Sequence, residues 1–216
     1  MKKLSLISVL CLFSCTQQEF SLVNTSRHTS IEMQLYNNEI VKYGIKAKDT
    51  LLDIGSNYGV QSATIFRFYP DAFFVLEDIQ SKYSYRFKTA ILVDNKLRKF
   101  DDHSIYVNGT ADSIPLPSSS YRLILCRKTV HEFTHPTQML KEIRRVMTAD
   151  GVLIVEEAIP KKEGEIDRYC KMRHLTRQEL LTLFSANGFR LLSSDTTTFP
   201  VKKKTDGNLN ILKFSK

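Results

Sequence analysis

The chain has 216 residues, 42% hydrophobic and 25% charged, with four cysteines and no tryptophan. That length and balance suit one globular domain with a sizeable core, and exclude a disordered, collagen-like or disulfide-framework protein. The net charge of +8 and the pI near 9.3 admit an anionic partner, but the densest basic run, Val201-Lys202-Lys203-Lys204, has no interleaved aromatics. It reads as a solvated face and gives no base-stacking platform for nucleic acid.

At the front, Met1-Lys2-Lys3 precedes an apolar run, Leu4 to Phe13, too short to span a bilayer comfortably. Basic head, short apolar core and a small residue before polar chain predict a signal peptide over 1–15. Leu12-Phe13-Ser14-Cys15 resembles a bacterial lipobox, which implies lipidation at Cys15 and a membrane-anchored lipoprotein. A polar tether over 16–30 then leads to a domain over 31–216. A start at Met33 would instead give a cytoplasmic protein.

Residues 31–45 predict an opening helix. Thr50–Ile54 predicts a buried strand, and 60–70 a short helix closed by Pro70. A second strand is expected over 72–78, a helix over 83–100, a third strand over 104–109 and a fourth over 121–126. An amphipathic helix over 136–147 leads through the turn Thr148-Ala149-Asp150-Gly151 into a fifth strand over 151–157. Thr176 with Glu179 forms a capping box for a late helix that stops at Gly188. Residues 190–194 and 208–214 read as a closing strand pair. Strand alternating with helix implies parallel strands and a doubly wound α/β sheet, which binds ligands at its strands' carboxyl ends.

The loop Gly55-Ser56-Asn57-Tyr58-Gly59 follows the first strand at that end. Glycine permits the tight turn and a close ligand, and the next helix offers N–H groups. Asn57 replaces the middle glycine that a pyrophosphate needs, which argues against NAD. No GK[ST] ending marks a P-loop. A small carboxylate, as in an amino acid, needs less room, and Asp53 suits an ammonium or its bridging water. Glu77 and Asp78, at the end of the second strand, stand where an acid would hold a ribose diol. Amino acid at one end and ribose at the other describes S-adenosylmethionine.

Asn108 to Pro160 resembles the central block of class I S-adenosylmethionine-dependent methyltransferases of the small-molecule type. The likeness runs through "ADSIPLP", "YRLILCRKTVHEF" and "LKEIRRVMTADGVLIVEE", and "LTRQELLTLFSANGF" follows it. It implies a seven-stranded, mostly parallel Rossmann-like sheet with helices on both faces and the last strand antiparallel. It also implies in-line methyl transfer to a small-molecule acceptor, chemistry that needs no metal. By the resemblance, Asp53, Gly55, Ser56, Asn57 and Gly59 cradle the methionine part, and Asp78 or Glu77 binds the ribose. Ala111 meets the adenine with Thr110 or Asp112 near its amino group, and Cys126 lines the cleft. His131 is the candidate base, and Tyr169, Arg173 and His174 are candidate acceptor contacts.

Three positions depart from the family pattern: Thr110 and Arg122, where acids are usual, and the 148–151 turn. With the cofactor made in the cytosol and the front end pointing outward, they keep an alternative open, a membrane-tethered, inactive binding module. Glu156 and Glu157 read as ordinary strand-end polar residues. No Cys/His spacing suggests a metal, and a Cys126–Cys170 bridge is possible only in an oxidising compartment.

Overall fold

In the computed structural model, residues 38–82, 98–167, 169–196 and 208–216 are described. The expected signal, Cys15, tether, Met33 start, positions 31–37 of the opening helix, positions 83–97 of the helix expected over 83–100, and the basic run at 201–204 lie outside the described residues.

The apolar runs form strands, and the segments between them supply helices. In chain order these are β1 (Thr50–Ile54), α1 (Val60–Phe66), β2 (Phe73–Asp78), α2 (Arg98–Asp101), β3 (Ser104–Asn108) and β4 (Tyr121–Arg127). There follow α3 (Pro136–Val146), β5 (Met147–Ile159), α4 (Arg177–Ala186), β6 (Arg190–Thr196) and β7 (Asn208–Ser215). The sheet order is β3-β2-β1-β4-β5-β7-β6. The pairs from β3 to β5 are parallel, and β7 runs antiparallel to both β5 and β6. This is the doubly wound, seven-stranded sheet expected from the sequence.

The central strands β1, β2 and β4 are near-continuously apolar because both faces are covered, while the edge strands β3 and β6 are more exposed. Side chains alternate between faces. Leu51, Phe74, Leu76, Leu123 and Leu125 pack with Ala63, Ile65 and Phe66 on the α1 side. Leu52, Ile54, Val75, Ile124 and Cys126 pack with Leu140, Ile143, Leu180 and Phe184 from α3 and α4 on the other. The rings of Phe184 and Phe214 stack 4.3 Å apart. The α4 capping box is present, with Glu179 N donating to Thr176 Oγ1 at 3.2 Å and Thr176 N to Glu179 Oε2 at 2.7 Å.

Two expectations are corrected. The 148–151 segment is part of β5, because the register shifts between the Tyr121–Met147 and Leu123–Val152 pairs and absorbs the extra residues as an irregularity. Gly151 is needed there, since a Cβ would lie 2.6 Å from Met147 Cγ. Glu156 and Glu157 are not ordinary strand ends: both are buried. The departure at Arg122 has a structural reason, an ion pair with Asp49 just before β1, at the end of the sheet opposite the Gly55 loop.

Candidate active site

The strand order reverses between β1 and β4, and a crevice opens beyond their carboxyl ends, as the topology requires. β1 turns sharply at Gly55, whose φ of +66° is left-handed. A Cβ at Gly55 would lie 2.2 Å from Thr129 Cγ2, just beyond β4. The loop is stitched to β2 and β3: Ser56 N donates to Glu77 O at 2.9 Å, Asn57 N to Asp78 Oδ2 at 3.0 Å, and the Tyr106 hydroxyl to Asn57 O.

The resulting cleft has a volume of about 330 Å³. Its walls are the Asp53–Tyr58 turn, Glu77 to Gln80 after β2, Ala111, and Arg127 to Thr129 with Glu132 and Phe133 after β4. Ser56 Oγ, Asn57 Oδ1 and Glu77 Oε1 are buried without a hydrogen-bond partner. All three residues line the cleft, and each atom calls for a partner that the protein does not supply. Asp78 is pinned through both oxygens, Oδ2 by Asn57 N and Oδ1 by Gln80 N at 2.8 Å. A carboxylate offers about four acceptor positions, so about two remain for ligand hydroxyls.

The cleft is acidic in a basic chain. Burial pushes Glu77 up to about 8, helped by the charge of Asp78. Burial pushes Asp53 up to about 7, against the pull of a hydrogen bond from Ser62 Oγ at 2.7 Å. Asp78 is raised by burial too. Grouped carboxyls that are hard to ionise alone favour a cationic ligand carrying hydroxyls. With the orphaned polar atoms and the glycine turn, these residues fit S-adenosylmethionine.

The structure brings Asp53, Gly55, Ser56, Asn57, Glu77, Asp78 and Ala111 to the cleft wall, with Gly59 (φ +69°) turning the chain into α1. Thr110 and Asp112 are exposed and off that wall, and Asp112 Oδ1 is 2.6 Å from His135 Nδ1. Cys126 does not line the cleft. Its thiol is buried among Leu52, Ile124 and Val155 because strand alternation sends Leu125 and Arg127 to the opposite face. Cys126 and Cys170 are both free.

His131 is also off the wall: the 3₁₀ turn Val130–Glu132 buries Val130 and His131 and presents Glu132 to the cleft. Its Nδ1 is 2.9 Å from Glu157 Oε2. Tyr169 is exposed, Arg173 is tied to Glu179 at 2.8 and 3.0 Å, and His174 is buried, so none reaches the cleft wall.

Arg127 was missed from sequence. Its Nε donates to Glu156 Oε1 at 2.8 Å, while the Tyr43 hydroxyl donates to Glu156 Oε2 at 2.5 Å. Glu39 joins them, pushed up to about 8 by burial and by the charge of Glu156. The signal of Arg127 in the sequence is a charge at the carboxyl end of the apolar run Leu123–Cys126.

A family described as "Methyltransferase domain" matches residues 52–155, which run from β1 through β2, β3 and β4 into β5. The uncharacterized methyltransferase YcgJ of Bacillus subtilis (strain 168) is 29% identical over 72 residues, 33% of this chain. That match spans 28% of the relative's own length. A SAM dependent methyltransferase from Aquifex aeolicus has a similar fold, with a TM-score of 0.67 at 16% identity over 91% of this chain and 98% of the other. The cyclase SpnF gives 0.69 at 16% identity over 85% of this chain and 81% of its own. The family match supports a methyltransferase domain over 52–155, and the solved structures show a Rossmann-like methyltransferase fold.

Proposed function

We propose that this chain is an S-adenosylmethionine-dependent methyltransferase acting on a small-molecule acceptor. One observation carries the reading: Asp78, braced by two backbone N–H groups, keeps free acceptor positions in a cleft whose other walls hold three unpartnered polar atoms. The family match covers the strands that build this cleft.

The cofactor, when bound, supplies a methyl group on a positively charged sulfur. Asp78 would accept from ribose hydroxyls, and Glu77, beside it on β2, would hold a proton or an ion pair as the occupant demands. Gly55 and Asn57 would turn the backbone toward the methionine part, and Asp53, beneath the turn, would offset its positive charge. Ala111 lets the adenine approach. Acceptor alignment falls to the β4 side, where Glu132, Phe133 and Thr134 line the wall. Positioning can lower a barrier by roughly 7–11 kcal/mol in favourable cases, so a base is not obligatory.

Calorimetry tests the reading: S-adenosylmethionine binds at about one equivalent, and a labelled methyl group passes to some member of a metabolite pool. Binding without turnover on any pool would favour the inactive binding module. No binding by the folded protein would refute both.

A further inference from the structure

A second cluster lies behind Glu132. Residues 165–167 and 169–174 are held together by the Ile166–Arg173 bridge and by Asp167 N donating to Met172 O at 2.8 Å. They fold against the 3₁₀ turn after β4, so that the His131 and His174 rings stand 5.3 Å apart and Cys170 Sγ lies 3.4 Å from His131 Nε2. His131, Asp167 and His174 each offer a ligand atom within 4.8 Å of the others, and His131, Glu132 and Cys170 do the same.

The surroundings prepare these groups for a cation. Glu157 accepts from Val130 N at 2.8 Å through one oxygen and lies 2.9 Å from His131 Nδ1 through the other. A carboxylate there requires the proton on Nδ1, which leaves the Nε2 lone pair facing Cys170. This is the carboxylate–imidazole arrangement that supports metal ligands. Asp167 Oδ1 is spent on Tyr169 N and Cys170 N at 2.6 and 3.0 Å, while Oδ2 lies 3.7 Å from His174 Nε2. His174, only 7% exposed, has its Nδ1 buried without a hydrogen-bond partner.

We propose that His131, His174 and Asp167 bind one zinc-class divalent cation, and that Cys170, which groups with His131 and Glu132 and lies 3.4 Å from His131 Nε2, turns in as fourth ligand. Two imidazoles, a carboxylate and a thiol suit zinc or cobalt(II) over calcium or magnesium. Coordination releases the Cys170 thiol proton to solvent and leaves the thiolate on the metal. The ion ties residues 165–167 and 169–174 to the turn that carries Glu132, and so fixes the acceptor side of the cleft. Asp167, Cys170 and His174 lie within eight residues, but His131 is 39 positions from Cys170, so no local spacing contained the whole set.

The test is cobalt(II) titration of chelator-stripped, tag-free full chain, followed by zinc competition. The expected result is tetrahedral d–d absorption with a thiolate-to-cobalt charge-transfer band, saturating near one equivalent and abolished by zinc. Asp167→Asn and His174→Ala weaken cobalt binding at least tenfold. Glu157→Gln, acting through His131, weakens it about 10–100-fold. Cys170→Ser removes the charge-transfer band but leaves the metal bound, and His135→Ala changes nothing. Circular dichroism on each sample verifies folding. Absence of these bands in the folded wild-type chain overturns the proposal, as does unchanged affinity in folded Asp167→Asn. S-adenosylmethionine binding, read on the same samples, reports on the cleft separately.

Discussion

Asp78→Asn separates ligand recognition from scaffold support. Asp78 spends one acceptor position of each oxygen on Asn57 N and Gln80 N. Asparagine keeps one oxygen, and its NH2 then faces a backbone N–H that has lost its acceptor. Leaving that donor unmet costs about 1–3 kcal/mol. Removing a buried charge next to Glu77 offsets part of this, since burial already disfavours ionised Asp78. With about 2–4 °C per kcal/mol for a chain of this size, Tm falls by only a few degrees. The ligand loses more: a ribose hydroxyl gives up a hydrogen bond to a charged acceptor, about 1.5–3 kcal/mol, or ~10–150-fold in Kd. Calorimetry with S-adenosylmethionine and a thermal melt on the same variant provide both numbers. A folded Asp78→Asn chain whose Kd changes less than threefold would refute the assignment of Asp78 to the ribose.

Gly55→Ala places a methyl group against Thr129 and in a left-handed conformation; the conformation alone costs about 1–2 kcal/mol. Cofactor affinity should fall at least tenfold, with partial recovery in Gly55→Ala/Thr129→Ala, and an unaffected single variant would show that the turn is not tight. Thr176→Ala removes the α4 cap and should lower stability by about 1 kcal/mol in denaturant titration, with cofactor affinity unchanged. The apo chain should be less stable near pH 8.5 than near pH 5.5. Asp53, Glu77 and Glu39 have folded values raised to about 7, 8 and 8. The folded state therefore holds protons that the unfolded state has released, and stability present below about pH 4 is lost as pH rises through those values. A Tm that rises from pH 5.5 to 8.5 would contradict the burial assigned to these acids.

What the sequence disclosed and what it hid divide by how local the signal is. β1 has the expected bounds because an apolar run stops at a glycine; the Asp53–Asn57 turn follows from the same short stretch, and Asp78 from the end of the next apolar run. The face of Cys126 depended on register, where a shift of one residue exchanges core for cleft. The 148–151 segment has turn chemistry in Asp150-Gly151, yet pairing with β4 absorbed it into β5. Arg127, Glu156, Tyr43 and Glu39 meet only when three distant segments fold together, as do His131 and His174. No spacing rule reports such contacts.

The acidity of the cleft also makes cofactor binding a proton-coupled event, and its sign discriminates between readings. Near pH 6 Asp53 and Glu77 are mostly protonated in the apo protein, because burial holds them at about 7 and 8. A cationic occupant favours the carboxylates, so its entry should expel about one to two protons near pH 6 and close to none near pH 9. Calorimetry in phosphate and in Tris, whose ionisation enthalpies differ, gives that number as the slope of observed heat against buffer heat. Asp53→Asn should reduce the release near pH 6, because one of the titrating groups is gone. A neutral or anionic ligand would leave both acids protonated, or draw protons in. Proton uptake near pH 6, or release that persists near pH 9, would therefore separate the cleft from the positive charge on which the methyl-transfer reading depends.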